Sequence, residues 1–505
     1  MKTPSDDLFQ LVQSLNKQEK RYFKLYASRH ALNGENQYLR LFNAIEKQEV
    51  YDEATLRKKF PDEAFTRQLH VAKNYLYGII LASLRSFHES RAEDRFYTQL
   101  RNAQLLFDKG LYQQSEKALG KAKSTAADNE RFLQLLEVYR WEHQIAHSRN
   151  DFGKLENYIA HGVQEEFDLL DKYRNFLEFQ ALNDRVFIPY WKKGAVRNET
   201  EKAALDQLFE QPQFSSADHA RSFYARYFYH NARFSYHLFR GEPERSYEHV
   251  RELVQMFESR AVKGRGVRQY SSALINLYIV QQRLGHYSDI PDTLRKLREV
   301  PADSPEQQRR LFVRSFNLEV DFYLSTGLFS KGVAQIRERE ALFRKYEEEV
   351  NGQQRLGLYY NLAYLHFGAA DYGQALDWVN LLLQDPALET RQDIHCFGRL
   401  LNLVVHYELR NDQLLEYIVQ TTYRFLSKRE RLFRVESVML KLMRHYPGWL
   451  TPKARTEGFR QLIGELEDLR QNEFERKAFE YFDFISWMES KAAGSAFEAV
   501  VKLKK

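Results

Sequence analysis

Apolar residues along this chain recur at three- and four-residue spacing in stretches long enough for helices that bury one face, and turns punctuate them at a regular interval. The turn signature is a small residue followed two positions later by an aromatic. It reads Gly110-Leu111-Tyr112, Gly285-His286-Tyr287, Gly327-Leu328-Phe329 and Ala370-Asp371-Tyr372. Tyr287, Phe329 and Tyr372 lie 42 and 43 residues apart. A fixed period of this size predicts stacked helical hairpins, each unable to bury its apolar face alone. Weaker copies fall at Asn150-Asp151-Phe152, Gly194, Gly241-Glu242-Pro243 and Asn411-Asp412-Gln413, giving about nine hairpins over roughly four-fifths of the chain.

Residues 1–95 do not follow the period and are expected to form an N-terminal helical domain or cap. Asn16-Lys17-Gln18-Glu19 has the form of a capping box opening a helix through Tyr22, Phe23, Leu25 and Tyr26. A second helix passes through Leu39, Leu41, Phe42 and Ile45. Asp52 precedes a short helix broken at Pro61, and a long helix is expected from about Ala64 to Phe87. The hairpin array is expected over 96–473, a closing helix over 474–490, where aromatics are dense, and a loosely held tail over 491–505.

In the clearest unit Asn361-Leu362-Ala363 opens the inner face of the first (A) helix, Ala370-Asp371-Tyr372 makes the turn, Ala375 permits a close crossing, and the second (B) helix runs on through Val379 and Leu382 to Pro386. This pattern resembles the tetratricopeptide repeat, and the whole chain is similar to bacterial tetratricopeptide proteins with elongated repeats. The resemblance implies an all-α, right-handed α-solenoid (superhelix) whose A helices line a concave binding surface. Two departures stand out. Ile290 and Ser115 occupy the alanine position in their units, and the period exceeds the ~34 residues of the standard repeat, closer to the ~40 to 47 of HEAT and armadillo units.

Composition narrows the function. Glycine and proline total 33 of 505 residues, about half the ~12% of an average protein, which suits a nearly all-helical chain. The net charge of +6 arises from 75 basic and 69 acidic residues interleaved along the chain, a solvated surface that speaks against nucleic acid. Cys396 is the only cysteine, so no disulfide can form within the chain. Acidic residues at 6 and 7 stand where a secretory signal needs an apolar run. The longest apolar run, Tyr75 to Leu84, is half a membrane span. The expectation is a soluble, cytoplasmic protein without membrane insertion.

No enzyme motif is present. His143 and His147 share a helix face at metal-ligand spacing, but Gln144 replaces the general-base glutamate and no third ligand is evident. Neither a metal nor a cofactor is expected. Gly264-Arg265-Gly266 is a fragment of a phosphate loop with no strand before it. The better constellation is a row of asparagines ten to twelve residues before each turn: Asn102, Asn231, Asn276, Asn317, Asn361 and Asn402. An amide carries donor and acceptor, so such a row, with Tyr364 beside it, suits a clamp on the backbone of an extended peptide. The alternative is a structural amide bonding neighbouring helices. Arg226, Arg233 and Arg240 form a basic stripe that would attract an acidic or C-terminal carboxylate.

The function expected on this reading is non-catalytic: a scaffold or adaptor holding a protein or peptide partner on the concave face. Its rival is a peptide-responsive regulator with an N-terminal helical output domain, in which the helices around Pro61 act as a DNA-binding helix-turn-helix. Against that, Tyr75, Leu76, Tyr77, Ile79, Ile80 and Leu81 on the second of those helices look made for burial.

Overall fold

The computed structural model describes residues 5–29, 37–48, 50–61, 63–88, 92–193, 199–259, 266–302, 305–449, 451–472 and 475–505. Every regular element among them is helical: 26 α-helices, six short 3-10 turns and one π segment, with no strand. The chain divides into two compact units, residues 1–182 with 211–229 and residues 183–210 with 230–505. The expected turn at Gly194 and the residues Gly264, Arg265 and Phe474 lie outside the described residues.

The first unit opens with α1 (Asp7–Ser14), α2 (Lys17–Arg29), α3 (Gln37–Glu46), α4 (Glu53–Lys59), α5 (Ala64–Arg67) and α6 (Leu69–Phe87). Leu8, Val12, Phe23, Phe42, Leu56, Leu76 and Ile80 form one apolar cluster of their own. The capping box is formed as expected: the Asn16 carboxamide accepts from Glu19 N at 2.9 Å, and the Glu19 carboxylate accepts from Asn16 N at 3.0 Å. The single helix expected over 64–87 is instead two, because Gln68 takes a non-helical φ of −123° and ψ of 50°. On α6, Leu76 and Ile80 are buried, whereas Tyr75 and Tyr77 are exposed. The unit continues with α7 (Ala92–Asp108), α8 (Tyr112–Asp128), α9 (Phe132–Ser148), α10 (Phe152–Asn157) and the part of α11 (Val163–Lys193) up to Leu182.

Next along the chain come α12 (Glu199–Glu210), α13 (Phe223–Phe239), α14 (Pro243–Ser259), α15 (Val267–Leu284), α16 (Ile290–Glu299), α17 (Pro305–Thr326) and α18 (Phe329–Tyr346). They are followed by α19 (Gly352–Gly368), α20 (Tyr372–Gln384), α21 (Gln392–Glu408), α22 (Asp412–Lys428), α23 (Arg434–His445), α24 (Pro452–Arg470), α25 (Phe484–Ala493) and α26 (Phe497–Lys504). Helices consecutive in sequence pack as pairs, α7 with α8, α14 with α15, α17 with α18, α19 with α20.

The periodic turn has a local cause. Gly110, Gly241, Gly285, Gly327, Ala370 and Arg410 all have φ between 56° and 75°, the left-handed conformation that ends a helix. The next residue's N–H then reaches back five residues: Leu111 to Leu106 O at 2.9 Å, Leu328 to Tyr323 O at 3.1 Å, Asp371 to His366 O at 2.9 Å. The aromatic after the turn starts the following helix in α8, α18 and α20. Tyr287 does not, because α16 starts three residues later, at Ile290. Five positions beyond four of these six residues the side chain is small, whereas Ile290 and Leu415 hold that place after Gly285 and Arg410. Ser115 Oγ donates to Ala103 O at 2.7 Å and Ser246 Oγ to Phe234 O at 3.0 Å, Ala375 is fully buried, and a Cβ at Gly332 would lie 2.7 Å from Tyr323. At those four sites a larger residue would press on the facing helix of the hairpin.

Candidate peptide-binding face

In the second unit α15, α17, α19 and α21 are successive A helices, and residues one repeat apart meet across them. Tyr278 OH donates to Asp321 at 2.7 Å, and Asn361 Nδ2 reaches Asn317 Oδ1 at 3.4 Å. The asparagine row therefore runs partly along the seam between helices. Asn231 likewise donates to Asn183 at 2.7 Å. Asn276 is half-buried, Asn402 is buried with an unpartnered carboxamide oxygen, and Asn102, in the first unit, is exposed.

One residue before Asn361, and so turned by ~100° around α19, Tyr360 points at the chain's own C-terminal segment. Its hydroxyl donates to the backbone carbonyl of Tyr481 at 3.1 Å. One turn further along, Tyr364 OH accepts from the backbone N–H of Asp483 at 3.2 Å. Two tyrosines on an A helix thus hold a carbonyl and an amide of a non-helical stretch, residues 481–483. These are the backbone contacts expected of asparagine, made by tyrosine. Tyr364, expected beside the asparagine row, also packs its ring on Phe482 at 4.8 Å.

The contacts continue in both directions. The Glu475 carboxylate accepts from the N–H groups of Arg434 at 3.0 Å and Val435 at 3.2 Å, capping α23. Tyr481 stacks on Phe397 at 4.2 Å and donates to Asp393 at 2.8 Å. Hydrogen bonding to Arg391, with a further bond from Tyr481, holds the Asp393 carboxyl down at about 2 against the opposing effect of burial. Asp483 caps α25 through Ser486 N at 3.0 Å. Trp487 Nε1 donates to Glu408 at 2.6 Å, and Lys491 pairs with the same carboxylate. Phe497 stacks on Phe329 and Phe482, Val501 meets Gly327, Glu498 caps α18 through Ser330 N, and Lys505 reaches the carbonyls of Leu324 and Ser325. The segment therefore crosses α23, α21, α19 and the α17–α18 turn in reverse chain order.

Two expectations change here. The aromatic stretch is not one closing helix: it is a 3-10 turn (Glu475–Glu480), a short non-helical link and α25, because Tyr360 and Tyr364 take the link's backbone groups. Residues 497–504, expected in a loose tail, form α26 with Phe497 and Val501 buried four residues apart on one face.

The basic stripe is largely engaged. Arg226 is exposed, but Arg233 lies over the Phe209 ring at 4.1 Å, and Arg240 pairs with Asp206 and, at 2.9 Å, with Glu242. His143 and His147 lie with ring centroids 4.5 Å apart, and His143 lines a cavity of about 650 Å³ in the first unit. Its walls carry Lys123 paired with Glu142, Lys154 paired with Glu116, and Tyr139 bonded to Glu165, so both lysines already have carboxylate partners. Among the described residues no group of three or more His, Cys, Asp or Glu is placed to hold a metal, and no helix is long and apolar enough to cross a membrane.

No protein-family model matches this chain, and no curated protein matches it.

Proposed function

We propose that this protein is a non-catalytic binding scaffold, built from elongated tetratricopeptide-like hairpins, that holds an extended or amphipathic polypeptide segment across its A helices. The observation that carries this reading is the use of that face by the chain's own C-terminal segment. Tyr360 and Tyr364 engage backbone groups, which any sequence offers, while rings from α18 and α19 surround Phe482 and Phe497. A backbone contact combined with side-chain pockets is the general means by which proteins read peptides. The partner that fits the α17–α19 end is a helix with an aromatic residue, an aliphatic residue four positions later and a basic C-terminal end, the pattern of Phe497, Val501 and Lys505.

The test is peptide display against a chain ending at Gly494, with the full-length chain as comparison. Enrichment on the shortened chain of sequences that compete with residues 495–505 supports the reading. A shortened chain that stays helical yet selects no competing sequence contradicts it.

A further inference from the structure

The helix α11 is apolar on two opposite faces. Phe179 and Leu182 point inward and are fully buried. On the other side Val163, Phe167, Leu170 and Leu177 are 37%, 57%, 46% and 43% exposed, and Ile159, in the π segment just before, is 74% exposed. Val163, Leu170 and Leu177 are seven residues apart, so they form one line along the helix, with Phe167 beside it. A helix that answers only to its own core needs no such second stripe.

We propose that this stripe is the interface of a homodimer in which α11 packs antiparallel on α11 of a second copy, with the twofold axis at Leu170. The spacing is self-complementary: Val163 of each copy then faces Leu177 of the other, and Leu170 faces Leu170, as a twofold interface requires. Charge is compatible with this direction. The antiparallel register sets Glu166, whose carboxylate accepts from Tyr158 OH at 2.8 Å, level with Arg174, whereas a parallel pair sets like charges level with one another. Arg174 and its intrahelical partner Glu178 are exposed and Asp171 is half-buried, so the guanidinium is accessible to a second carboxylate. The area is sufficient. The five residues offer about 100 Å² each, roughly 500 Å² per copy and ~1,000 Å² per pair, the size at which biological interfaces begin.

The full-length protein tests this by sedimentation velocity across a dilution series. The expectation is a reversible dimer, with Leu170→Glu raising its dissociation constant about 30-fold or more while leaving the circular dichroism melt unchanged. Leu170→Cys provides a second reading, because Cys396, the only native cysteine, is buried. Mild oxidation should link two Leu170→Cys copies and should fail with Val163→Cys, whose two positions stand ~21 Å apart along the antiparallel pair. A monomer at every concentration, a dimer indifferent to Leu170→Glu, or efficient linkage through Val163→Cys would overturn the proposal.

Discussion

Replacing Tyr360 and Tyr364 together by phenylalanine removes two hydroxyls and keeps both rings, so the aromatic packing on Tyr481 and Phe482 stays in place. What is lost is the donor to Tyr481 O and the acceptor for Asp483 N–H. Each backbone group is left without its partner on a covered face, at ~1 to 2 kcal/mol each, so about 2 to 4 kcal/mol is expected for the pair. If the C-terminal segment docks as a separable unit, this falls on its local opening equilibrium, raising the open population roughly 30- to 700-fold. Hydrogen exchange read by mass spectrometry measures that directly. Amides of residues 481–493 should lose protection by this factor, while amides of α21 (Gln392–Glu408) keep theirs. A uniform loss across α21 and the C-terminal segment would refute the reasoning, since the segment would then belong to the same cooperative core as the hairpins.

Three further outcomes follow from the packing. Burial, with the Glu475 charge adding to it, raises the Glu436 carboxyl from 4.5 to about 7, and one of its oxygens has no partner. A folded pKa above the unfolded one gives stability that is complete below about pH 4.5 and lost as pH rises through 7, a difference of about 3 kcal/mol at pH 8. Glu436→Gln should therefore raise the melting temperature at pH 8 and leave it nearly unchanged at pH 4, whereas parallel pH profiles of mutant and wild type would contradict the assignment. Ala370 holds a left-handed φ of 60°, so Ala370→Gly should add about 0.5 to 1 kcal/mol to the unfolding free energy in urea titration. Gly332→Val meets Tyr323 and Leu365 where a Cβ already lies within 3.1 Å of each, and should lower stability by about 1 to 3 kcal/mol in the same titration.

The helical class and the hairpin turns were readable because they are local. A left-handed residue before an aromatic helix start marks the same backbone event at Gly110, Gly327 and Ala370, whatever surrounds it. The Asn16–Glu19 capping box was readable for the same reason. Misreadings came where distant residues decide. Aromatic density at 479–488 looked like one helix, yet Tyr360 and Tyr364, more than a hundred residues earlier, take the backbone groups of the link that interrupts it. Phe497 and Val501 stand four residues apart, but eight residues with two lysines gave no sign of a docking surface at Phe329 and Gly327. The asparagine period was real, but a period places a residue along the helix and not around it. Asn361 meets Asn317 across the seam, and its neighbour Tyr360 faces the segment.

The most direct measurement of the central claim is calorimetric titration of a chain ending at Gly494 with a synthetic peptide of residues 495–505. Binding through the Phe497 and Val501 contacts predicts a saturable one-to-one isotherm, abolished when Phe497 of the peptide is replaced by alanine. The result that would contradict the account is the absence of any heat of binding from a shortened chain whose circular dichroism matches that of the full-length protein.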